Sequence, residues 1–360
     1  MFMIRAISLF SGAGGMDVGF SNAGINTIIA NEFDKHAAQT YRLNHPNTKM
    51  IEGDLEDNMS KIIAEKNIDL VFGGPPCQGF SVAGKMEPDD PRSKLIFKFC
   101  DVIEAVKPKA FVMENVKALG KLDKFKAVRL ELYKRFKRMG YSYSKVVLNA
   151  KDFGVPQSRE RVFFIGIPDH AAAIKLSDFD EFKKDAPTLK QAIQKLGKAG
   201  TKNNPKITKA KITLAAKPSL RKSPYAGMLF NGRGRPLNPS TWSSTLLASM
   251  GGGGTPIIDE RQLYDDEIGW VEDYHKKIVT GEIQPQFGEA PEFLRRLTID
   301  EAAILQSFPD NYQFSGPQSK VFSQLGNAVP CQLAYAIAAC LKVALSSAAS
   351  RTSEDLFAAE

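Results

Sequence analysis

Cysteine is scarce. The 360-residue chain has four, Cys77, Cys100, Cys331 and Cys340, and no two form a CxxC pair. That spacing argues against a zinc site and a disulfide framework; no metal is expected, and a reducing cytoplasm fits best. Long apolar runs are missing as well. None approaches the about 18 residues that a membrane-spanning helix needs, so no membrane association is expected. The apolar start "MFMIRAISLF" lacks a small-residue cleavage site and runs straight into "SGAGG", which reads as a first strand and not a signal peptide. No internal repeat is visible. Acidic residues are outnumbered, 40 against 48 Lys and Arg, leaving a net charge of +8. That balance suits a polyanionic partner, although many basic proteins bind nothing acidic. The hydrophobic fraction of 43% is that of a globular protein, long enough for one large domain or two ordinary ones.

What is present begins with alternation. Strand candidates "IRAISLF", "INTIIAN", "IDLVFGG", "PKAFVMENV", "SYSKVVLNA" and "RERVFFIGI" are separated by helix-like stretches such as "DKHAAQTYRLN" and "SKLIFKFCDVIEAV". This predicts an α/β fold with a mostly parallel sheet and helices on both faces. Residues 1–186 form the first part of that domain. From 187 to 293 the chain turns basic and rich in Gly, Pro, Ser and Asn, with poor periodicity. A second, smaller loop-rich domain is expected there; disorder is the alternative, against which Tyr225, Phe230 and Trp242 stand. Regularity resumes over 294–345. Thr298 and Glu301 have the spacing of a capping box, and "GNAVPCQLAYAIAACLKVAL" reads as a helix after a turn. Residues 346–360 read as a flexible tail.

"ISLFSGAGGMDVGF" is a strand, a glycine turn and a helix start, which lets a cofactor approach backbone amides. A tight turn packing a helix on a strand fits equally well. Gly12, Gly14 and Gly15 miss the G-x-G-x-x-G pattern because Asp17 occupies the third glycine position. A diphosphate would be repelled there, whereas a cationic cofactor such as S-adenosylmethionine would be accepted. Glu32, about 20 residues past the turn, suits two ribose hydroxyls. Asp54 follows the third strand, where it could accept from an adenine amino group. Each acid alone fits a solvated loop; three at successive strand ends are harder to dismiss.

"GGPPCQGFSVAGK" places Cys77 directly after a strand that Pro75-Pro76 must end, at the sheet end where ligands bind in open α/β folds. The stretch from Gln78 to Arg92, with Gly79 and Gly84 as hinges, suits a mobile lid carrying Lys85 and Arg92. Glu114 and Asn115 end the next strand and should face the same cleft, where a carboxyl can donate a proton near neutrality. Arg159 and Arg161, two residues apart at a strand start, should share one face; a surface charge pair is the alternative.

Leu9–Gly15, Gly73–Ser81, Glu114–Val116, Pro156–Arg161 and Gln324–Pro330 resemble, in order, five motifs of the DNA (cytosine-5)-methyltransferases of bacterial restriction-modification type. The resemblance spans residues 4–345 apart from 187–293, where that family carries its variable target-recognition domain. It implies a Rossmann-like methyltransferase sheet completed by a final helix beside the first strand. The cofactor would be S-adenosylmethionine, leaving as S-adenosylhomocysteine. Cys77 would add to carbon 6 of a flipped-out cytosine, activating carbon 5 as a nucleophile. Glu114 matches the acid that bonds the ring nitrogen 3 edge, Arg159 the group that holds the base carbonyl, and Arg161 a support of the cleft. Phe10, Gly12, Gly14, Glu32, Phe33, Asp54, Pro76, Asn327 and Val329 match the cofactor pocket. Gln78, Ser81, Lys85, Arg92, Arg233, Arg235, Thr245 and Leu246 are expected to contact double-stranded DNA, the lid and the middle domain holding it from opposite sides. A cytoplasmic, nucleoid-associated monomer is implied, with a cognate restriction endonuclease acting on the same site. Two departures are visible: Phe33 stands where Trp is frequent, and Cys331 where a second proline is common. Three rivals remain open. They are the same chemistry on transfer RNA, a non-catalytic DNA-binding relative, and a nicotinamide oxidoreductase, which Asp17 and the missing third glycine oppose.

Overall fold

The computed structural model describes residues 3–76, 94–168, 171 and 173–357, with side chains through residue 347. The chain forms two compact units. One comprises Met1–Phe153, Glu160–Lys184 and Val329–Glu360; the other comprises Gly154–Arg159 and Asp185–Ala328.

The first unit is built on seven strands: β1 (Ile4–Leu9), β2 (Ile25–Glu32), β3 (Lys49–Glu52), β4 (Leu70–Gly73), β5 (Ala110–Val116), β6 (Tyr141–Asn149) and β7 (Glu160–Pro168). Their order is β3-β2-β1-β4-β5-β7-β6. Strands β1 to β5 pair in parallel. β7 wedges antiparallel between β5 and β6, because β6 and β7 are joined without a crossover helix. The central strands are buried almost throughout, which is why they read as continuous apolar runs instead of alternating ones. Between the strands run α1 (Gly15–Asn22), α2 (Lys35–Asn44), α3 (Leu55–Ile63), α4 (Lys94–Val106), α5 (Lys117–Lys121) and α6 (Lys126–Arg138). The Asp34 carboxylate caps α2 through the amides of His36 and Ala37, and Asp54 caps α3, each contributing about 1 kcal/mol. Phe99, Phe111 and Phe136 lie in one fully buried cluster under β4, β5 and β7, the last two with ring centroids 4.3 Å apart.

The C-terminal helix, Cys331–Phe357, closes this unit. It returns on α1, one layer outside the first strand. A Cβ on Gly19 would overlap the Cys331 carbonyl, the Tyr335 nitrogen and the Ala334 side chain. The helix continues through Phe357, past residue 346 where a flexible tail is expected from sequence. One helical stretch, Gln318–Ser347, does have the length and mean hydropathy (1.7) of a membrane span, contrary to the sequence expectation, but 61% of that window is buried inside the protein, as in a core helix.

The second unit contains α7 (Leu189–Ile193), β8 (Thr213–Ser219), β9 (Met228–Phe230), β10 (Ile257–Asp259), α8 (Glu260–Tyr264), α9 (Trp270–Val279), β11 (Gly288–Glu289), β12 (Leu294–Arg296), α10 (Ile299–Leu305) and α11 (Gln318–Asn327). It is ordered around its own core of Ile212, Leu214, Phe230, Ile257, Val271 and Tyr274, with Trp270 stacked on Tyr274 at 4.5 Å. The capping box is present: Thr298 N–H donates to Glu301 Oε2 (2.9 Å) and Glu301 N–H to Thr298 Oγ (3.1 Å). Asn204 donates to the buried Glu301 carboxylate and accepts from the Thr298 hydroxyl. These bonds tie residues 295–301 into the second unit, so the chain rejoins the sheet unit at Val329 and not at 294.

Candidate active site and cofactor loop

β1 ends in a loop whose backbone is unusual. Phe10 has φ +53°, rare for a residue with a side chain, followed by Gly12 at +56° and Gly14 at +83°. A non-glycine residue held there costs on the order of 1–3 kcal/mol and such residues cluster at ligand sites. Gly14 N–H turns back to the Ser11 carbonyl (3.0 Å), and its own carbonyl accepts from Val18 as α1 begins. The Glu32 carboxylate, at the end of β2, braces this loop: Gly12 N–H donates to Oε2 (2.8 Å) and Asp34 N–H to Oε1 (2.7 Å). Burial pushes its pKa above the ordinary value, and the backbone donors pull the other way. Phe33 N–H is a third backbone donor to this carboxylate, which leaves about one of its roughly four acceptor sites for a hydroxyl. Next to it the Phe33 ring is 74% exposed, an apolar face in water at the mouth of the loop. Asp54 accepts from Glu56 N–H through Oδ1 (2.7 Å), leaving Oδ2 to accept another donor. Asn31, buried behind Glu32, donates to the carbonyls of Ile51 (2.9 Å) and Gly53 (3.1 Å). It thereby fixes the end of β3 against β2.

Asp17 does not take part in this loop. It is 1% exposed and accepts from Ser8 Oγ (3.0 Å) and Tyr41 Oη (2.8 Å). Burial lifts its pKa to about 6, with the Tyr41, Ser8 and Thr27 hydroxyls opposing. The sequence reading of Asp17 as a selector of cofactor charge is therefore corrected: its side chain points into the protein.

β4 and β5 carry the second cluster. Strand alternation places Glu114 of β5 and Arg161 of β7 on one face, and Arg161 Nε lies 2.9 Å from Glu114 Oε1. The pair is largely buried, with side-chain exposures of 12% for Glu114 and 14% for Arg161. The other carboxylate oxygen faces the Gly74 α-carbon, where a Cβ would stand 2.8 Å away. Asn115 Nδ2 donates to the Pro75 carbonyl (3.1 Å) while its Oδ1 accepts from Val116 N–H (2.9 Å). Asn115 thus holds Pro75, while Glu114 lies close against Gly74. Cys77, Gln78, Ser81, Lys85 and Arg92 lie outside the described residues.

In the second unit, Gln157 and Arg159 organise a polar junction. Gln157 is fully buried; its Oε1 accepts from Leu246 N–H (2.9 Å) and its Nε2 donates to the Leu305 carbonyl (2.9 Å) and Gln306 Oε1 (3.1 Å). Arg159, 1% exposed, donates through Nη1 to the Leu246 carbonyl (2.9 Å) and through Nη2 to the Gly326 carbonyl (2.8 Å). Gln306 donates to the Leu325 carbonyl. Gly326 packs so closely that a Cβ there would overlap the Leu247 carbonyl group. Arg159 precedes β7, so strand alternation does not aim it with Arg161, contrary to the sequence expectation. Leu246 is buried, and Leu247 is the exposed neighbour at 55%; Thr245 Oγ donates to the Ser158 carbonyl (2.8 Å). Arg233, Arg235 and Asn327 are exposed, and Val329 is buried at the start of the return to the first unit.

A model of the family described as C-5 cytosine-specific DNA methylase matches residues 4–342. The chain belongs to that family. It is 36% identical over 339 residues to the type II methyltransferase M1.HphI of Haemophilus parahaemolyticus, covering 92% of this chain and 85% of that protein. It is 34% identical over 354 residues to M.NgoPII of Neisseria gonorrhoeae, covering 95% and 96%. The fold is shared with the Dnmt2 methyltransferase of S. pombe, at a TM-score of 0.63 and 18% identity over 94% of this chain and 98% of that one. This C-5 cytosine methylase uses S-adenosylmethionine to methylate cytosine in DNA.

Two buried amides were not singled out in the sequence. In the first unit Asn31 fixes the end of β3 against β2; in the second unit Gln157 orders the backbone of Leu246 and Leu305. Their signal was visible as the Asn before Glu32 and the Gln of "PQSRER". An amide buried among strand ends has no purpose unless its hydrogen bonds are used.

Proposed function

We propose that this methylase works through a covalent Cys77 adduct in which Glu114 and Arg161 hold the target base. The observation that supports this is the buried Glu114–Arg161 pair set against the Gly74–Pro76 segment that leads into Cys77. Cys77 thiolate forms a bond to carbon 6 of the flipped-out cytosine, and the ring's electron pair moves to carbon 5. Glu114 holds the nitrogen 3 edge and balances the charge that develops there. In this reading Arg161 and not Arg159 holds the base carbonyl, because Arg159 is 1% exposed and each of its terminal nitrogens already donates to a backbone carbonyl. Bound S-adenosylmethionine supplies the electrophilic methyl group that carbon 5 takes up. Loss of the carbon 5 proton then lets the carbon–sulfur bond break and frees Cys77. Phe33 offers a face for the adenine, Glu32 takes a ribose hydroxyl and Asp54 the adenine amino group; Phe10, Gly12, Gly14, Pro76, Asn327 and Val329 complete the pocket.

The second unit reads the target sequence, chiefly over 187–293, with Arg233, Arg235 and the Thr245–Leu247 loop toward duplex DNA. A monomer in the cytoplasm, paired with an endonuclease of the same specificity, completes the reading. A duplex carrying 5-fluorocytosine at the target tests the chemistry, since fluorine cannot leave as a cation. A shifted band on a denaturing gel that requires S-adenosylmethionine and is lost in Cys77→Ser is expected. A methylating enzyme that forms no such band would exclude addition at carbon 6.

A further inference from the structure

The net charge of +8 is not spread over the chain. Residues 117–138 hold nine Lys and Arg against only Asp123 and Glu131, an excess of seven in α5, α6 and the turn between them. Part of this excess is used internally. Arg135 bridges Asp101 (3.0 Å) and Glu131 (3.2 Å), Arg138 meets Glu104 (3.4 Å), and Lys117 meets Glu160. Arg129 donates to the carbonyls of Leu119 and Leu122 at the end of α5.

Lys126, Lys134 and Lys137 are exposed and have no acidic partner among the described residues. With Leu130, 50% exposed, and Tyr133, 42% exposed, they recur at helical spacing along one face of α6. The helix dipole does not account for them all. It favours Lys137 in the last turn, but Lys126 stands at the first position, where a positive charge is disfavoured. Beside this face, a groove of about 480 Å³ opens toward the edge strand β6, lined by Lys126, Arg129, Leu130, Tyr133, Tyr143 and Lys145 and by one acid, Asp123.

We propose that the exposed face of α6 is a second, sequence-independent DNA-binding surface, separate from the groups that hold the flipped base. From Lys126 to Lys137 the stripe spans about 16 Å at 1.5 Å per residue, enough to follow several phosphates of a duplex that carries one charge per about 1.7 Å. Three cations without acidic partners, interleaved with an aliphatic and a phenolic side chain, suit a sugar-phosphate backbone. Because α5 follows directly on β5, the stripe starts at the sheet end that bears Glu114 and leads away from it. Its task is to keep the enzyme on DNA between target sites.

The proposal rests on the reading that this chain methylates duplex DNA, and its test separates the two. Lys126, Lys134 and Lys137 are replaced together by Gln. Binding to a long duplex without the target site is measured against salt, and turnover is measured on a short duplex that just covers the site. The slope of log K against log salt should fall by about 2.7, three phosphates at about 0.9 each. Turnover on the short duplex should be unchanged, fewer sites should be methylated per encounter on long DNA, and a triple Arg variant should keep the wild-type slope. An unchanged slope overturns the surface, the more so if the same variant loses binding to anionic lipid vesicles. A slope that falls together with short-duplex turnover also overturns it, by placing the lysines in the catalytic DNA track. If the wild-type enzyme methylates no duplex at all, the functional reading fails, whatever the slope does.

Discussion

Gly74→Ala tests the Glu114–Arg161 pair without touching either residue. A Cβ at position 74 would lie 2.8 Å from Glu114 Oε2, closer than carbon and oxygen tolerate. What gives way is the end of a side chain, not backbone, so the fold should survive. The carboxylate cannot simply retreat, because Arg161 holds its other oxygen at 2.9 Å in a site where both side chains are less than 15% exposed. Weakening a hydrogen bond to a charged group of this kind costs about 1.5–3 kcal/mol, which is about 10- to 100-fold in turnover if the carboxylate acts in the transition state. Single-turnover methylation with labelled S-adenosylmethionine should show that loss, with cofactor affinity close to wild type. In a Glu114→Gln background the added alanine should cost little more, since the group it disturbs is already impaired. Full activity in the alanine variant, or an undiminished further loss in the Gln background, would refute the argument that Gly74 is there to seat the carboxylate.

Asp17→Asn should reveal a pH-dependent strain under the cofactor loop. The folded protein holds the Asp17 proton more tightly than the unfolded chain, with a pKa of about 6 against 3.8. Its contribution is therefore fullest below pH 3.8 and is lost as pH rises through 6. The stability of wild type minus that of the variant should fall by about 3 kcal/mol across that window; denaturant melts giving a flat difference would contradict it. Gln157→Leu should destabilise by about 2–5 kcal/mol, because the Leu246 amide and the Leu305 carbonyl lose their buried partner, and a thermal melt within a degree of wild type would refute that.

The sheet was legible because its strands are buried on both faces and therefore announce themselves as apolar runs. The insertion of β7 between β5 and β6 was not, since pairing order is a tertiary outcome that local pattern does not encode. Asp17 shows the same limit on a smaller scale. Residues 17 and 19 lie about 200° apart on α1, so seating Gly19 against the C-terminal helix turns Asp17 inward to Ser8 and Tyr41, a rotation set by packing 300 residues downstream. The second unit looked irregular because much of its order comes from buried polar groups. Glu301, Asn204 and Arg296 are types that read as solvated loop until their partners are known. The motif letters placed Glu114, Glu32 and the glycine loop correctly at strand ends. Which of Arg159 and Arg161 shares a strand face with Glu114 depended on where β7 begins, which lies within the usual uncertainty of an element boundary.

The return of the C-terminal helix to α1 has a consequence for how this enzyme is made. All seven strands of the sheet are synthesised by Pro168, yet the outer side of α1, shaped at Gly19 to receive Ala334 and Tyr335, stays bare until roughly 165 further residues have been added, about 8–33 s at ribosomal speed. The protein made in that interval is the unit that contains the region assigned to choosing the target. A chain cut short before Val329 would carry the sheet with an uncovered apolar helix, open to aggregation and proteolysis. The order of synthesis thus leaves the sheet unit open at α1 until the whole second unit has been made.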